Sequence, residues 1–342
     1  MTPERFRDIT SWLPRLRVAV VGDFCLDRYL EIDPARTETS IETGLPVYNV
    51  VRVRAQPGAA GTILNNLVAL GIGEIHVVGF CGDDGEGYEL RKALSLKRGV
   101  HLDNFVSTPD RRTFTYCKPL IVEAGQPPRE LNRLDSKNWQ ETPQAVQKWL
   151  VASVAAMANR MDAIILMDQV DVPETGVVTR AVCEIAHSAQ ERHAGLLVVA
   201  DSRSGLAHFP PFVFKMNAAE LAVCSGEQAP LDQSRVCALA AGLARKNGRM
   251  VFVTLAEQGV IGATPEGEAI RVPAFPVRSP IDIVGAGDSV TANLTAALAA
   301  KATPAEAMEL AMAAASTVVH QVGTTGEATV EDLARLVARG EA

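Results

Sequence analysis

The chain has 342 residues, 47% hydrophobic and 21% charged, a globular balance that excludes a disordered polypeptide. Its 33 Lys and Arg against 40 Asp and Glu give a formal charge of −7, so the broad basic face that nucleic acid requires is absent. A small anionic ligand stays open, because a few backbone amides and one or two arginines can hold a phosphate locally.

The first fifteen residues, MTPERFRDITSWLPR, carry charges throughout and no apolar core, so no signal peptide is expected. No apolar run approaches the roughly 20 residues of a membrane span. The six cysteines (25, 81, 117, 183, 224 and 237) form no C-x-x-C pair and no Cys/His cluster. They read as reduced thiols of a cytoplasmic protein, without structural zinc.

Arg17–Val21 reads as a buried strand ending in Gly22-Asp23. Thr62–Leu70 reads as a helix closed by Gly71, followed by strand Ile75–Phe80 and helix Glu86–Lys97. The rhythm continues with strand Ala163–Met167, helix Glu174–Gln190, strand Leu196–Ala200, helix Gln233–Lys246 and strand Met250–Leu255. Alternation of this kind predicts an α/β fold, a mainly parallel central sheet between helical layers. The continuous runs AIILM and LLVVA suit strands buried on both faces. Residues 28–54 and 113–134 instead hold short, partly polar strands without helices between them. They predict a small β-sheet lid on a single domain spanning 1–342, and its apolar face predicts a homodimer. The last third, Gly287–Lys301, Pro304–Val322 and Val330–Ala338, reads as helical.

Chemistry concentrates in Asp282-Ile-Val-Gly-Ala-Gly-Asp288, directly before the helix-forming SVTANLTAALAAK. Gly285, Ala286 and Gly287 put unpaired N–H groups at a helix mouth, where the macrodipole favours negative charge. Asp288, in the first turn, can face the same space. Phosphoryl transfer needs both parts: donors for the migrating phosphoryl and a carboxylate for the acceptor hydroxyl. Taken alone, the segment could equally be a tight turn with a helix-starting Asp. No G-x-x-x-x-G-K-[ST] or complete G-x-G-x-x-G after a strand occurs, which argues against P-loop and dinucleotide sites.

Asp282–Asp288 resembles the D-[TV]-x-G-A-G-D signature of the ribokinase/PfkB carbohydrate kinases, with Ile283 as the departure. Within that family the chain is most similar to the kinase part of heptose-7-phosphate kinase/adenylyltransferases. VVGDFCLDRY, SIETGLPV, QPGAAGTILNNLVALG, LNRLD, KMNAAELAVCSG, VTLAEQG and VGTTGEATV carry that resemblance. It implies a ribokinase-like three-layer α/β/α fold and an ATP- and Mg²⁺-dependent sugar kinase, with Asp288 as base and Gly285–Gly287 as anion hole. Asp282 would serve a monovalent cation such as K⁺. Asn217 and Glu220 match N-x-x-E, with Glu220 on Mg²⁺ through water, although NAAE alone would be a plain helix cap. Thr254, Glu257 and Gly259 would meet the nucleotide, and His320 and Gly323 lie near the expected adenine pocket. On the sugar side stand Asp23, the favoured ligand, and Asp27, then Gly58, Ala59 and Thr62 of the sugar loop. Arg133, Asp168 and Arg203 complete the set.

The departures fall on the acceptor side. Ala59 stands where a second Gly is usual and Thr62 where Asn is common; Asp171 replaces a Lys, and Arg203 stands in place of another. The expected reaction is transfer of the ATP γ-phosphoryl to a sugar or sugar phosphate, with a heptose 7-phosphate as the leading acceptor. A non-catalytic sugar or nucleotide sensor and a nucleoside or vitamin kinase are the competing readings.

Overall fold

Nine strands form the main sheet of the computed structural model, which describes residues 1–337. In sheet order they are Val100–Thr108, Glu74–Gly82, Arg17–Gly22, Ala163–Asp168, Leu197–Ser202, Val213–Asn217, Val251–Thr254, Val260–Ala263 and Ala269–Val272. The last two pair antiparallel, and the other seven are parallel. The central strands Arg17–Gly22 and Ala163–Asp168 are buried almost throughout, as two-sided coverage requires.

Helices cover both faces. Ala286–Ala299 packs on Ala60–Ala69 and Pro304–Val319 in one layer. Gln144–Met157 and Arg180–Arg192 pack together in the opposite layer. The three-layer α/β/α arrangement agrees with the sequence expectation.

A second sheet rises from the carboxyl ends of these strands. Its order is Leu134–Ser136, Thr115–Ile121, Phe24–Ile32 and Val50–Ala59, with Arg129–Glu130 added beside Thr115–Ile121. Only Asp23 separates the first strand of the main sheet from Phe24–Ile32, so the two sheets are directly connected at that residue.

Several boundaries differ from those read in the sequence. The helix expected from Glu174 begins at Arg180, because Pro173 and Gly176 interrupt the pattern and Thr179 caps the true start by accepting from the Val182 amide. The helix starting at Pro304 ends at Val319, before Gly323 takes φ +78°. Helices Pro3–Trp12 and Gln144–Met157, and strands Val260–Ala263 and Ala269–Val272, had not been singled out. Val330–Val337 is helical; Ala338, expected to close it, lies outside the described residues.

Candidate active site

The Gly-Ala-Gly run forms the entry to helix Ala286–Ala299. Gly285 has φ +82°, a left-handed conformation that any side chain would strain, and packs against Thr325 and Thr62. The Ala286 amide bonds to the Ile283 carbonyl at 3.2 Å, and the helical ladder resumes with Ser289 N on the Gly285 carbonyl at 2.9 Å. The Gly287 and Asp288 amides are therefore left as first-turn donors at the positive end of the dipole.

Two cavities meet at this turn. The larger, about 780 Å³, is mainly apolar and is lined by Leu231, Val236, Phe275, Met312 and Val319 together with Asn217 and Thr254. The smaller, about 370 Å³, is polar and holds Asp27, Asp288 and the cations Lys118, Arg133, Lys137 and Arg203. Gly287 lines both. Asp288, next in the chain, faces only the polar one. Burial pushes the Asp288 pKa up to about 7; the charges of Asp201 and Asp27 add to this and Lys215 opposes it.

Lys215 lies behind the turn. It is buried in the middle of strand Val213–Asn217, with Nζ 2.8 Å from Asp201 Oδ2. The same oxygen accepts from Thr291 Oγ1 at 2.7 Å, on the helix that Gly285 caps. Burial pulls the Lys215 pKa down, but the charge of Asp201 and its hydrogen bond outweigh that and hold it above the ordinary lysine value. A fixed cation thus sits beneath the amides. Lys215, Asp201 and Thr291 were missed in the sequence, although a lone Lys inside the apolar run VFKMN is a readable signal.

The expected nucleotide residues divide. Asn217, Thr254, Glu257 and Gly259 line the apolar cavity. Glu220 forms a capping box with Asn217: Glu220 Oε2 accepts from Asn217 N at 2.7 Å and Asn217 Oδ1 accepts from Glu220 N at 2.9 Å. His320 and Gly323 do not line that cavity. His320 Nε2 accepts from Arg278 N at 2.9 Å, and its Nδ1 lies 2.6 Å from the Ser316 carbonyl, so the ring pins the preceding loop. Asp282 accepts from Val284 N and Gly323 N, each at 3.1 Å, and ties the turn to the late loop.

On the polar side, Asp27, Ala59, Thr62, Arg133 and Arg203 line the cavity. Gly58 lies just beneath, and a Cβ there would come within 2.5 Å of Asp27 Oδ2. Thr62 Oγ1 is buried without a hydrogen-bond partner among the described residues. Asp23 and Asp168 do not line it. Asp23 accepts from the Gln169 and Val177 amides at 2.9 and 2.8 Å, and Asp168 accepts from Ser202 Oγ and Ser204 Oγ at 2.6 and 2.8 Å. Asp23 thus organises the loop that presents Gln169, whereas Asp27 meets the cavity. Burial raises the pKa of Asp23, Asp168 and Asp27 alike. Lys118, Lys137, Tyr116 and Gln169 are cavity residues that the sequence had not marked.

A family described as pfkB family carbohydrate kinase matches residues 16–330. The chain belongs to this family. It is a sugar kinase, as the resemblance in the sequence implied. The kinase is 32% identical to the bifunctional protein HldE of Gluconacetobacter diazotrophicus over 327 residues, 95% of this chain and 64% of that protein. HldE of Citrifermentans bemidjiense is 29% identical, covering 96% of this chain and 66% of the relative. The chain thus spans a little under two thirds of these relatives. Two solved structures share the fold at 18% identity: Arabidopsis thaliana ribokinase complexed with ribose and ATP, TM-score 0.68 over 94% of this chain and 98% of that one, and Escherichia coli phosphofructokinase-2 with potassium, TM-score 0.72 over 96% and 99%. The kinase therefore has the ribokinase-like fold.

Proposed function

We propose that the kinase transfers the γ-phosphoryl of ATP to a hydroxyl of a phosphorylated sugar. The observation that carries this reading is the meeting of an apolar and a polar cavity at Gly287, with Asp288 on the polar side. The larger cavity has the size and apolar lining suited to a nucleotide, with Asn217 and Thr254 as polar contacts. The acceptor hydroxyl gives its proton to the Asp288 carboxylate as its oxygen attacks the γ-phosphorus, and the bond from that phosphorus to the bridging oxygen breaks to release ADP. The Gly287 and Asp288 amides donate to the phosphoryl oxygens, and buried Lys215 adds positive potential behind them.

Mg²⁺, when bound, neutralises phosphate charge. Asn217 and Glu220 would hold it through water, since Glu220 Oε1 carries no hydrogen bond among the described residues. Asp282, already folding the turn around its carboxylate, is the proposed neighbour of a K⁺ ion; equal rates in potassium and choline salts would contradict that role.

Four cations line the acceptor cavity, partly balanced by Asp135 on Arg133 and by Asp171 on Lys137 and Arg203. Asp27 and Asp288 line the same cavity, so the cations count here as donors and not as a net charge: charge-assisted donors of this kind support an acceptor already carrying phosphate. The resemblance to heptose-7-phosphate kinases supports a heptose 7-phosphate taken at its anomeric hydroxyl. Asp27 and Thr62 Oγ1 are the proposed contacts to its other hydroxyls. The second sheet acts as a lid excluding water. The exposed Ile41, Leu45 and Tyr48 of the segment before strand Val50–Ala59, with Val51 and Val53 of that strand, would be covered by a second copy, giving a dimer that Val51→Asp should dissociate in light scattering. A monomeric wild type would contradict this. All six cysteines are unpaired, which fits a reducing cytoplasm, and among the described residues no helix is long and apolar enough to cross a membrane.

The test is an ADP-release screen over matched sugars and sugar phosphates. The phosphorylated member of the best pair should have at least a tenfold higher kcat/KM, and Arg203→Ala should erase most of that margin, as charge-assisted contacts are worth about 1.5–3 kcal/mol. Equal turnover within every pair would overturn the phosphorylated-acceptor reading. No turnover of any sugar would overturn the acceptor class.

A further inference from the structure

The two sides of the site come from parts of the chain far apart in sequence, and side chains of one second-sheet strand join them. Gln56 lies on the second-sheet strand Val50–Ala59, in register opposite Asp27 of Phe24–Ile32. Its amide is used at both ends: Nε2 donates to Thr325 Oγ1 at 3.0 Å, and Oε1 accepts from Thr324 Oγ1 at 2.9 Å. Thr325 is buried, lines the acceptor cavity, and lies against Gly285, where a Cβ would meet Thr325 Cβ at 3.2 Å.

A parallel connection runs alongside. Arg54, two residues earlier on the same strand, donates from Nη1 to the Gly323 carbonyl at 3.4 Å while Nε is held by Glu31 at 2.7 Å. The Gly323 amide in turn bonds to Asp282, whose other oxygen accepts from Val284 N. Residues 323–325 therefore sit between the second sheet and the glycine turn and touch both. A half-buried glutamine with both ends satisfied by successive threonines fixes that segment in two directions. Its loss leaves two hydroxyls to be resatisfied and frees the segment to shift.

We propose that Gln56 is a positioning residue: through Thr324 and Thr325 it sets the Gly285–Asp288 turn according to where the acceptor-side sheet lies. This rests on the kinase reading for its catalytic consequence but not for its mechanics. Small displacements of reacting groups lower rates strongly, so the turn is where a remote contact can alter turnover without touching substrate.

The test compares wild type with Gln56→Leu, which keeps the volume and removes both hydrogen bonds, and Gln56→Glu, whose carboxylate can accept from both threonine hydroxyls. Amide exchange of the peptide covering 282–288 is measured first on the full chain without any sugar. Gln56→Leu should speed exchange of that peptide at least fivefold, leave the peptide covering 251–259 unchanged, and Gln56→Glu should restore much of the protection. In turnover, Gln56→Leu should lower kcat about 10- to 100-fold with little change in the KM for ATP, and Thr325→Val added to it should cost little more. Unchanged exchange at 282–288 overturns the inference whatever the enzyme's acceptor is. Altered exchange in a protein that turns over no sugar leaves the positioning role standing and overturns the kinase reading instead.

Discussion

Lys215 Nζ lies 3.2 Å from the point at which a Cβ on Gly287 would be placed. The glycine thus lets the helix mouth settle onto a buried ammonium, and the ammonium is held there by Asp201 and Thr291. Removing one partner of a buried pair leaves the other charge uncompensated, at a cost of about 3–5 kcal/mol. Lys215→Met should lower the unfolding free energy in urea by about 3 kcal/mol, and Lys215→Met with Asp201→Leu should recover at least half of it. Equal stability of Lys215→Met and wild type would show that the pair contributes nothing net.

The acceptor loop contains a strained residue. Ala59 has φ +53° and ψ −114°, in a region that L side chains rarely occupy, and it is buried at the start of helix Ala60–Ala69. Strain of this kind costs on the order of 1–3 kcal/mol, and the added chain entropy of glycine offsets about 0.4–1 kcal/mol of the relief. Ala59→Gly should therefore stabilise the kinase by about 1 kcal/mol in urea unfolding. A destabilised variant would mean that Ala59 makes packing contacts worth more than its strain.

Sequence reading reached what is contiguous and stopped where sites are assembled at long range. Gly285 to Asp288 form one uninterrupted run, and the following helix starts where the run predicts. Asp23 was favoured over Asp27, although the two lie four residues apart after one strand and no neighbouring residue tells them apart. Their difference is made by the amides of Gln169 and Val177, more than 140 residues away, which surround Asp23 alone. The cationic wall is similarly dispersed: Lys118 comes from the second sheet, Lys137 from the segment after it, and Arg203 from beyond Leu197–Ser202. No local pattern marks Lys118 or Lys137, and Arg203 was reached only through the family resemblance. Glu220 shows the converse, since NAAE does form the cap that its spacing allows, and that cap also places the carboxylate at the end of a strand beside the nucleotide cavity.

Asp288 should make both stability and rate depend on pH. Its ordinary pKa is 3.8 and the folded value is about 7, so between these limits the folded chain binds more protons than the unfolded one. The stability linked to this group is fully present below about pH 4 and is lost as pH rises through 7. Asp288→Asn cannot ionise and escapes that loss, so its Tm should exceed that of wild type at pH 8, with the gap closing towards pH 4. A gap independent of pH would contradict burial of the ionised group. For the wild type, kcat/KM should rise through pH 7 as the carboxylate forms, and Lys215→Met should move that limb to higher pH because Lys215 favours the ionised form.

The most direct measurement pairs turnover with nucleotide binding for wild type and Asp288→Asn on the best acceptor from the screen. A positioned base contributes about two to four orders of magnitude, so Asp288→Asn should lose 10²- to 10⁴-fold in kcat while its Kd for ATP stays within about threefold. Retention of near wild-type kcat would contradict proton removal by Asp288, and with it the account of how the two cavities work together.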